Sequence, residues 1–251
     1  MISANNSLTS YIDQKIDQDD NMSYFSDISN TGNNRNLKIE VDINEENINP
    51  DQFEINNISF GNIKSNTYGF KIIPIKYKND DFEIVSPILR MPFGISSTDK
   101  ENSYYLSLSF DNKDDKLNKL IKDIEIFCID YIYNNQEMLK IVKNNKKSKE
   151  FIQELFKSKI DQKDNYPPSL RINLKTNSEY TNTNIKILDK TNNEKEININ
   201  ELDLNTTKGC TAKCNILFKG ISILSTGYSL NLFVKEIVIY NRKSNKTRIV
   251  F

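Results

Sequence analysis

The sequence predicts an α+β protein with a β-sheet or barrel core interrupted by a helical insertion. Three observations predict it. Before residue 111, apolar residues alternate with polar ones at the period of strands. From Asp111 to about Asn135 the apolar spacing becomes helical. After Pro168 the strand pattern returns. Strands, then helices, then strands is the order of an α+β domain, not of alternating βαβ units.

The elements follow in chain order. Residues 1–35 are polar, rich in Asn, Ser and Asp, and read as a disordered acidic arm with one short helix near Leu8–Ile16. A single β-rich domain is expected over 36–251. Leu37, Ile39, Val41 and Ile43 alternate with polar residues as in a half-buried strand. Phe53, Ile55, Ile58 and Phe60 suggest another, broken by a turn or bulge. Tyr68–Tyr77 is β-branched and aromatic, and Pro74, which cannot donate to a ladder, places it at an edge or bulge. Asn79-Asp80-Asp81 is the expected turn. Phe82–Met91 resumes as a strand interrupted by Pro87. In Ser103–Phe110, Tyr104, Leu106, Leu108 and Phe110 share one face, and Tyr105, Ser107 and Ser109 share the other.

Leu117, Leu120, Ile121, Ile124, Cys128, Tyr131 and Ile132 mark one stripe of the long helix. Ile126, Phe127, Ile129 and Tyr133 widen it, so the helix is expected to be covered on more than one side. Asp111, Asp114 and Asp115 are placed to cap its N-terminus, where acidic groups oppose the positive end of the helix dipole. Shorter helices over Gln136–Val142 and Ser148–Ile160 complete an insertion at about 111–160. Asn165-Tyr-Pro-Pro168 breaks the pattern. Strands are then expected at Leu170–Leu174, Ile185–Leu188, Ile197–Ile199, Ala212–Leu224, Tyr228–Tyr240 and Thr247–Phe251, with Gly220 and Gly227 at bends or bulges.

Composition excludes several chemistries. The chain has no His, so Ser-His-Asp and Cys-His catalysis and His-containing zinc sites are ruled out. Cys128, Cys210 and Cys214 are an odd, sparse set, which fits a reducing compartment and not a disulfide framework. The Cys210–Cys214 pair reads as small residues in or near a strand. Phosphate-loop motifs are absent, and the carboxylates read as helix caps and solvated turns. No metal, cofactor or enzymatic activity is expected. No stretch approaches a membrane span of about 20 apolar residues, and Met1 to Asp20 lacks the regions of a signal peptide.

Charge is split along the chain. Residues 1–60 carry 11 acidic and 3 basic side chains, a net of −8, whereas 61–251 carry 23 acidic and 31 basic, a net of +8. A basic body attracts polyanions, and an acidic arm can compete for it. Basic and aromatic residues interleave on the expected strands: Lys71, Lys76, Tyr77 and Lys78 lie close together, Arg90 precedes Met91-Pro-Phe-Gly94, Tyr104 and Tyr105 occupy opposite faces, and Arg171, Lys175, Lys213 and Lys219 flank strands. This combination suits single-stranded nucleic acid, because cations track phosphates while aromatic faces stack on bases. The competing reading is that the aromatics are core and the lysines are edge residues that deter strand pairing.

Three segments carry a resemblance: Ser86-Pro-Ile-Leu-Arg-Met-Pro-Phe-Gly-Ile-Ser96, Pro168-Ser-Leu-Arg-Ile-Asn-Leu174, and Phe218-Lys-Gly-Ile-Ser-Ile-Leu224 followed by Tyr228–Tyr240. In order and spacing they resemble the single-stranded DNA-binding proteins of the nucleocytoplasmic large DNA viruses, over roughly residues 67–240. The resemblance implies a β-rich OB-like barrel or sandwich core with helices between its two β runs. It also implies phosphate contacts at Arg90, Arg171 and Lys219.

The expected function is therefore sequence-independent coating of single-stranded DNA during viral replication or repair, in a host cytoplasm or another reducing intracellular compartment. Self-association along the strand is a further expectation. The candidate binding residues are Lys71, Lys76, Tyr77, Arg90, Tyr105, Arg171, Lys213 and Lys219. The alternative is a structural or scaffold protein of a virion or viral factory, with no nucleic-acid role.

Overall fold

The computed structural model describes residue 48 and residues 50–65, 71–98, 103–110, 115–139, 146–175, 182–188 and 193–240. The expected arm at 1–35 and the strands expected at Leu37–Ile43 and Thr247–Phe251 lie outside the described residues.

The first β run comprises β1 (Ile58–Phe60), β2 (Lys64–Ser65), β3 (Lys71–Tyr77), β4 (Asp80–Val85), β5 (Leu89–Arg90), β6 (Ile95–Ser97) and β7 (Tyr104–Ser109). Two helices follow, α1 (Lys116–Asn134) and α2 (Lys149–Leu155). The second run comprises β8 (Phe156–Lys157), β9 (Ile160–Asp161), β10 (Ser169–Leu174), β11 (Asn184–Leu188), β12 (Glu194–Glu196), β13 (Thr211–Leu224) and β14 (Gly227–Tyr240). The chain is α+β, a β-rich core with a helical insertion between two β runs.

The core is a closed ring. β13 pairs β5, β5 pairs β7, β7 pairs β10, β10 pairs β14, and β14 returns to β13. Every pairing is antiparallel except β10–β14, which is parallel. Numbered by chain order, the ring runs 1-2-3-5-4 and closes on 1, the Greek-key connectivity of an OB barrel. Closure removes the open edges that a flat sheet would expose.

β13 makes the ring possible. Its upper half pairs β4 and β5, its lower half pairs β3, and its other edge pairs β14 throughout. Register shifts at Asn215/Ile216 and Phe218/Gly220 bend it from one part of the sheet to the other. Gly220 is required at the second shift: its φ is 147°, and a Cβ there would fall on the Ile73 carbonyl oxygen.

Leu106, Leu108, Leu170, Ile172, Cys214, Leu230, Leu232 and Val234 fill the interior. The α1 stripe of Leu117, Leu120, Ile121, Ile124, Cys128 and Ile132 is buried with them in one continuous core. Asp115 caps this helix, its Oδ1 accepting from Leu117 N at 2.9 Å and Asn118 N at 3.2 Å. The broader apolar surface of α1 is only partly covered. Ile129 is buried and Phe127 stacks on Phe60, whereas Ile126 and Tyr133 remain exposed.

Other boundaries differ from expectation. The β3–β4 turn is Lys78-Asn79, with φ of 50° and 74°, so Asp80 already belongs to a strand. Two consecutive positive φ values define the hairpin turn whose twist matches its strands. Residues 135–139 form turns where a helix is expected from Gln136, and the helix expected over Ser148–Ile160 ends at Leu155, where the chain extends into β8 and β9 to pair with β14 and β10. Glu194–Glu196, ahead of the Ile197–Ile199 expected, forms the strand.

Candidate nucleic-acid interface

Alternation along β7, β10 and β14 divides each strand between the barrel interior and an outer face. Leu106 and Leu108, Leu170, Ile172 and Leu174, and Leu230, Leu232 and Val234 point inward. Tyr105 and Ser107, Arg171 and Asn173, and Asn231, Phe233 and Lys235 therefore share the outer face, and all are exposed or half-buried.

Strand register lines these residues up. Ser96 is opposite Tyr105, Tyr105 opposite Asn173, Asn173 opposite Phe233, and Phe233 opposite Leu217. Tyr105 and Phe233 are thus separated by one intervening strand, about 10 Å of backbone. Each ring carries a cation. The Arg171 guanidinium carbon lies 3.7 Å from the Tyr105 centroid, and Lys175 Nζ lies 5.1 Å from the Phe233 centroid.

More positive charge surrounds this row. Burial holds the Lys159 ammonium below the usual lysine range, and the nearby Arg171 lowers it further, while Glu125 pulls it up. Burial likewise lowers Lys175, helped by Lys219 and opposed by Asp81. An ammonium lowered by a neighbouring cation shares a region of positive potential with it. Acidic groups bound it on one side: Glu83, opposite Leu217 in the same row, accepts from Lys235 Nζ at 2.7 Å and from Asn215 Nδ2 at 2.8 Å.

The β8–β9 segment beneath Arg171 is tied to α1. Glu125 is buried and accepts from Ser158 Oγ and Lys159 N, both at 2.7 Å, and Arg171 N donates to Lys159 O at 3.1 Å. Burial raises the Glu125 carboxyl above the usual range, against the lowering effect of those two hydrogen bonds.

Of the residues singled out from sequence, the structure brings together Tyr105 and Arg171, with Lys219 close enough to Lys175 to perturb it. Arg90 is exposed opposite Ser109, on the same outer face but two outward positions along β7 from Tyr105. Lys213 lies half-buried opposite Val238, toward the end of β13 that pairs β5. Lys71 is exposed at the start of β3, opposite Ile223, and Lys76 donates to Asn79 O at 3.0 Å.

Tyr77 belongs to the core. It is 5% exposed, it clusters with Phe53 and Phe82 at 5.3 and 5.4 Å, and its hydroxyl accepts from Glu54 N at 3.2 Å. Its alternation with Ile73 and Ile75 turns it inward, whatever its lysine neighbours in sequence. Phe233 and Asn173 were not among the residues singled out. Their signal is parity: Ser229, Asn231, Phe233 and Lys235 form the polar register of β14, and a Phe among them is an outward ring.

Among the described residues, no group of three or more acidic or Cys side chains could hold a metal ion, and no helix is long and apolar enough to cross a membrane. All three cysteines are free and buried, and burial pushes the Cys128 and Cys214 thiols well above their ordinary range.

No family model and no curated protein matches the chain. Solved structures similar to it include gp2.5, a single-stranded DNA-binding protein encoded by bacteriophage T7. The identity is 10%, with 64% of this chain and 87% of that chain covered and a TM-score of 0.41. The single-stranded DNA-binding protein of bacteriophage Enc34 in complex with ssDNA is 13% identical, covering 72% of this chain and 95% of that one, with a TM-score of 0.40. At such values the outer face has to be interpreted from its own residues.

Proposed function

We propose that the outer face of β7, β10 and β14 binds single-stranded DNA without reading its sequence, and that the protein coats exposed strands during viral DNA replication or repair. The observation that carries this is the row Tyr105–Asn173–Phe233, with Arg171 over one ring and Lys175 over the other. Aromatic faces stack on any base, and adjacent cations neutralise the phosphates between stacked bases. A duplex hides its base faces, so it engages the cations but not the rings. The residues that meet the strand act by stacking and by charge, and none is asked to make or break a bond.

Fluorescence anisotropy with labelled oligo-dT tests the proposal. Binding is expected to exceed that of a duplex of equal length. It should weaken with salt, with a log–log slope of roughly −0.7 per phosphate contact. No binding to a long oligo-dT at about 50 mM salt, where phosphate contacts are strong, overturns it.

A further inference from the structure

Phe93 is 63% exposed, although it stands in a turn that is otherwise firmly held. The turn joins β5 to β6. Met91 beneath it is fully buried, Met91 N donates to Cys210 O at 2.8 Å, and Gly209 N donates back to Met91 O at 2.9 Å. Gly94 N closes the turn on Met91 O at 3.2 Å, with φ of 66°. A Cβ on Gly94 would fall on Thr207 Oγ1 and 2.8 Å from Lys208 N. Thr207, 1% exposed, accepts from Ile95 N at 2.9 Å and donates to Leu204 O at 2.7 Å. An apolar ring is thus presented to water by a backbone that has no room to fold it away.

Its position is set by register. Arg90 is opposite Ser109 and Ile95 is opposite Leu106, so the turn between them flanks Ser107 and Leu108 of β7. On the other flank of β7, Ser107 is opposite Arg171. The Phe93 turn and Arg171 therefore stand on either side of the same strand. Two exposed cationic residues neighbour the turn: Arg90 precedes it in the chain, and the backbone of Lys208 lies against Gly94.

We infer that Phe93 is a third stacking platform for single-stranded nucleic acid, continuing the track of Phe233 and Tyr105 across β7, with Arg90 and Lys208 holding the neighbouring phosphates. This rests on the proposed function. A turn whose backbone is held before binding loses little conformational freedom when a base stacks on its ring, which favours affinity.

The test uses the full chain and oligo-dT of several lengths. Phe93→Ala is expected to weaken a long oligonucleotide by about tenfold and the shortest ones by less. The chain contains no Trp, so Phe93→Trp supplies a single indole reporter. It should retain affinity, and its fluorescence should be quenched on binding. If the wild type and Phe93→Ala bind equally well while Arg171→Glu binds weakly, Phe93 is no platform and only this inference falls. An indole unquenched at saturation has the same consequence. If the wild type fails to bind, the proposed function falls, and this inference with it.

Discussion

Arg171 sits over Tyr105, its guanidinium carbon 3.7 Å from the ring centroid. The cation sits over the ring, on the outer face that Tyr105 and Arg171 share. Such a pair is worth about 0.5–1 kcal/mol at an exposed site, too little to be a principal support of the fold. Its effect is to hold a positive charge and an aromatic surface in one place.

Reversing that charge is expected to separate binding from stability. Arg171→Glu should weaken oligo-dT binding and reduce the salt slope, while leaving the thermal midpoint nearly unchanged. Tyr105→Ala should cost about 1–3 kcal/mol of binding, the loss of one stacked base, with the slope retained. Arg90→Glu should behave as Arg171→Glu. Anisotropy and calorimetry on each variant check these outcomes, and a variant that unfolds shows its residue to be structural.

Glu83 is expected to restrain binding. It pairs with Lys235 at 2.7 Å beside the aromatic row. Glu83→Gln should release Lys235 and tighten oligo-dT binding a few-fold at low salt, with the gain fading as salt screens the charges. Stability should change little, because Gln keeps an acceptor for Asn215 Nδ2 and Lys235 is largely exposed. An unchanged affinity at low salt would show that Lys235 lies off the track.

Glu125 is expected to set a pH dependence of stability. Its carboxyl is raised above 4.5 by burial, so the folded state holds this proton more tightly than the unfolded chain. Its stabilising contribution is full below the unfolded value and is lost as pH rises through the folded one. Glu125→Gln does not titrate. Relative to wild type it should be most favourable at neutral pH and should lose that advantage as pH falls toward 4.5. Glu125→Ala should cost about 1–3 kcal/mol, because Lys159 N and Ser158 Oγ lose their acceptor. Urea unfolding across this pH range checks both.

The acidic segment at residues 1–60 is expected to oppose DNA binding, as a tethered polyanion competing for the basic face. Residues 1–35 carry five acidic and two basic side chains. Deleting them should tighten oligo-dT binding a few-fold at low salt, and the gap should close as salt rises. Weaker binding by the truncated protein would make the arm part of the binding surface.

Much of this structure was legible in the sequence because it depends on period alone. Leu106 and Leu108 inward with Tyr105 and Ser107 outward follows from alternation, and α1 follows from its three-four spacing and Asp115. What escaped depends on partners distant in sequence. The closeness of Lys71, Lys76 and Tyr77 along the chain suggested a cluster, but strand parity buries the tyrosine and separates the lysines. Phe233 becomes a neighbour of Tyr105 only through β10, more than fifty residues earlier in the chain. No local pattern reports a register between parallel strands. The Lys78-Asn79 turn was displaced by one residue because Lys at positive φ is an uncommon choice.

The ring has a consequence for the order in which the protein is made. β4, β5, β7 and β10 all emerge before β13 and β14, yet the barrel closes only through those last two strands. A chain ending at Leu174 would lack both strands through which the ring closes. Closing contacts across such long stretches of sequence is slow. Lys71, Pro74 and Lys76 of β3 are residues of the kind that deter edge-to-edge pairing while the ring is open.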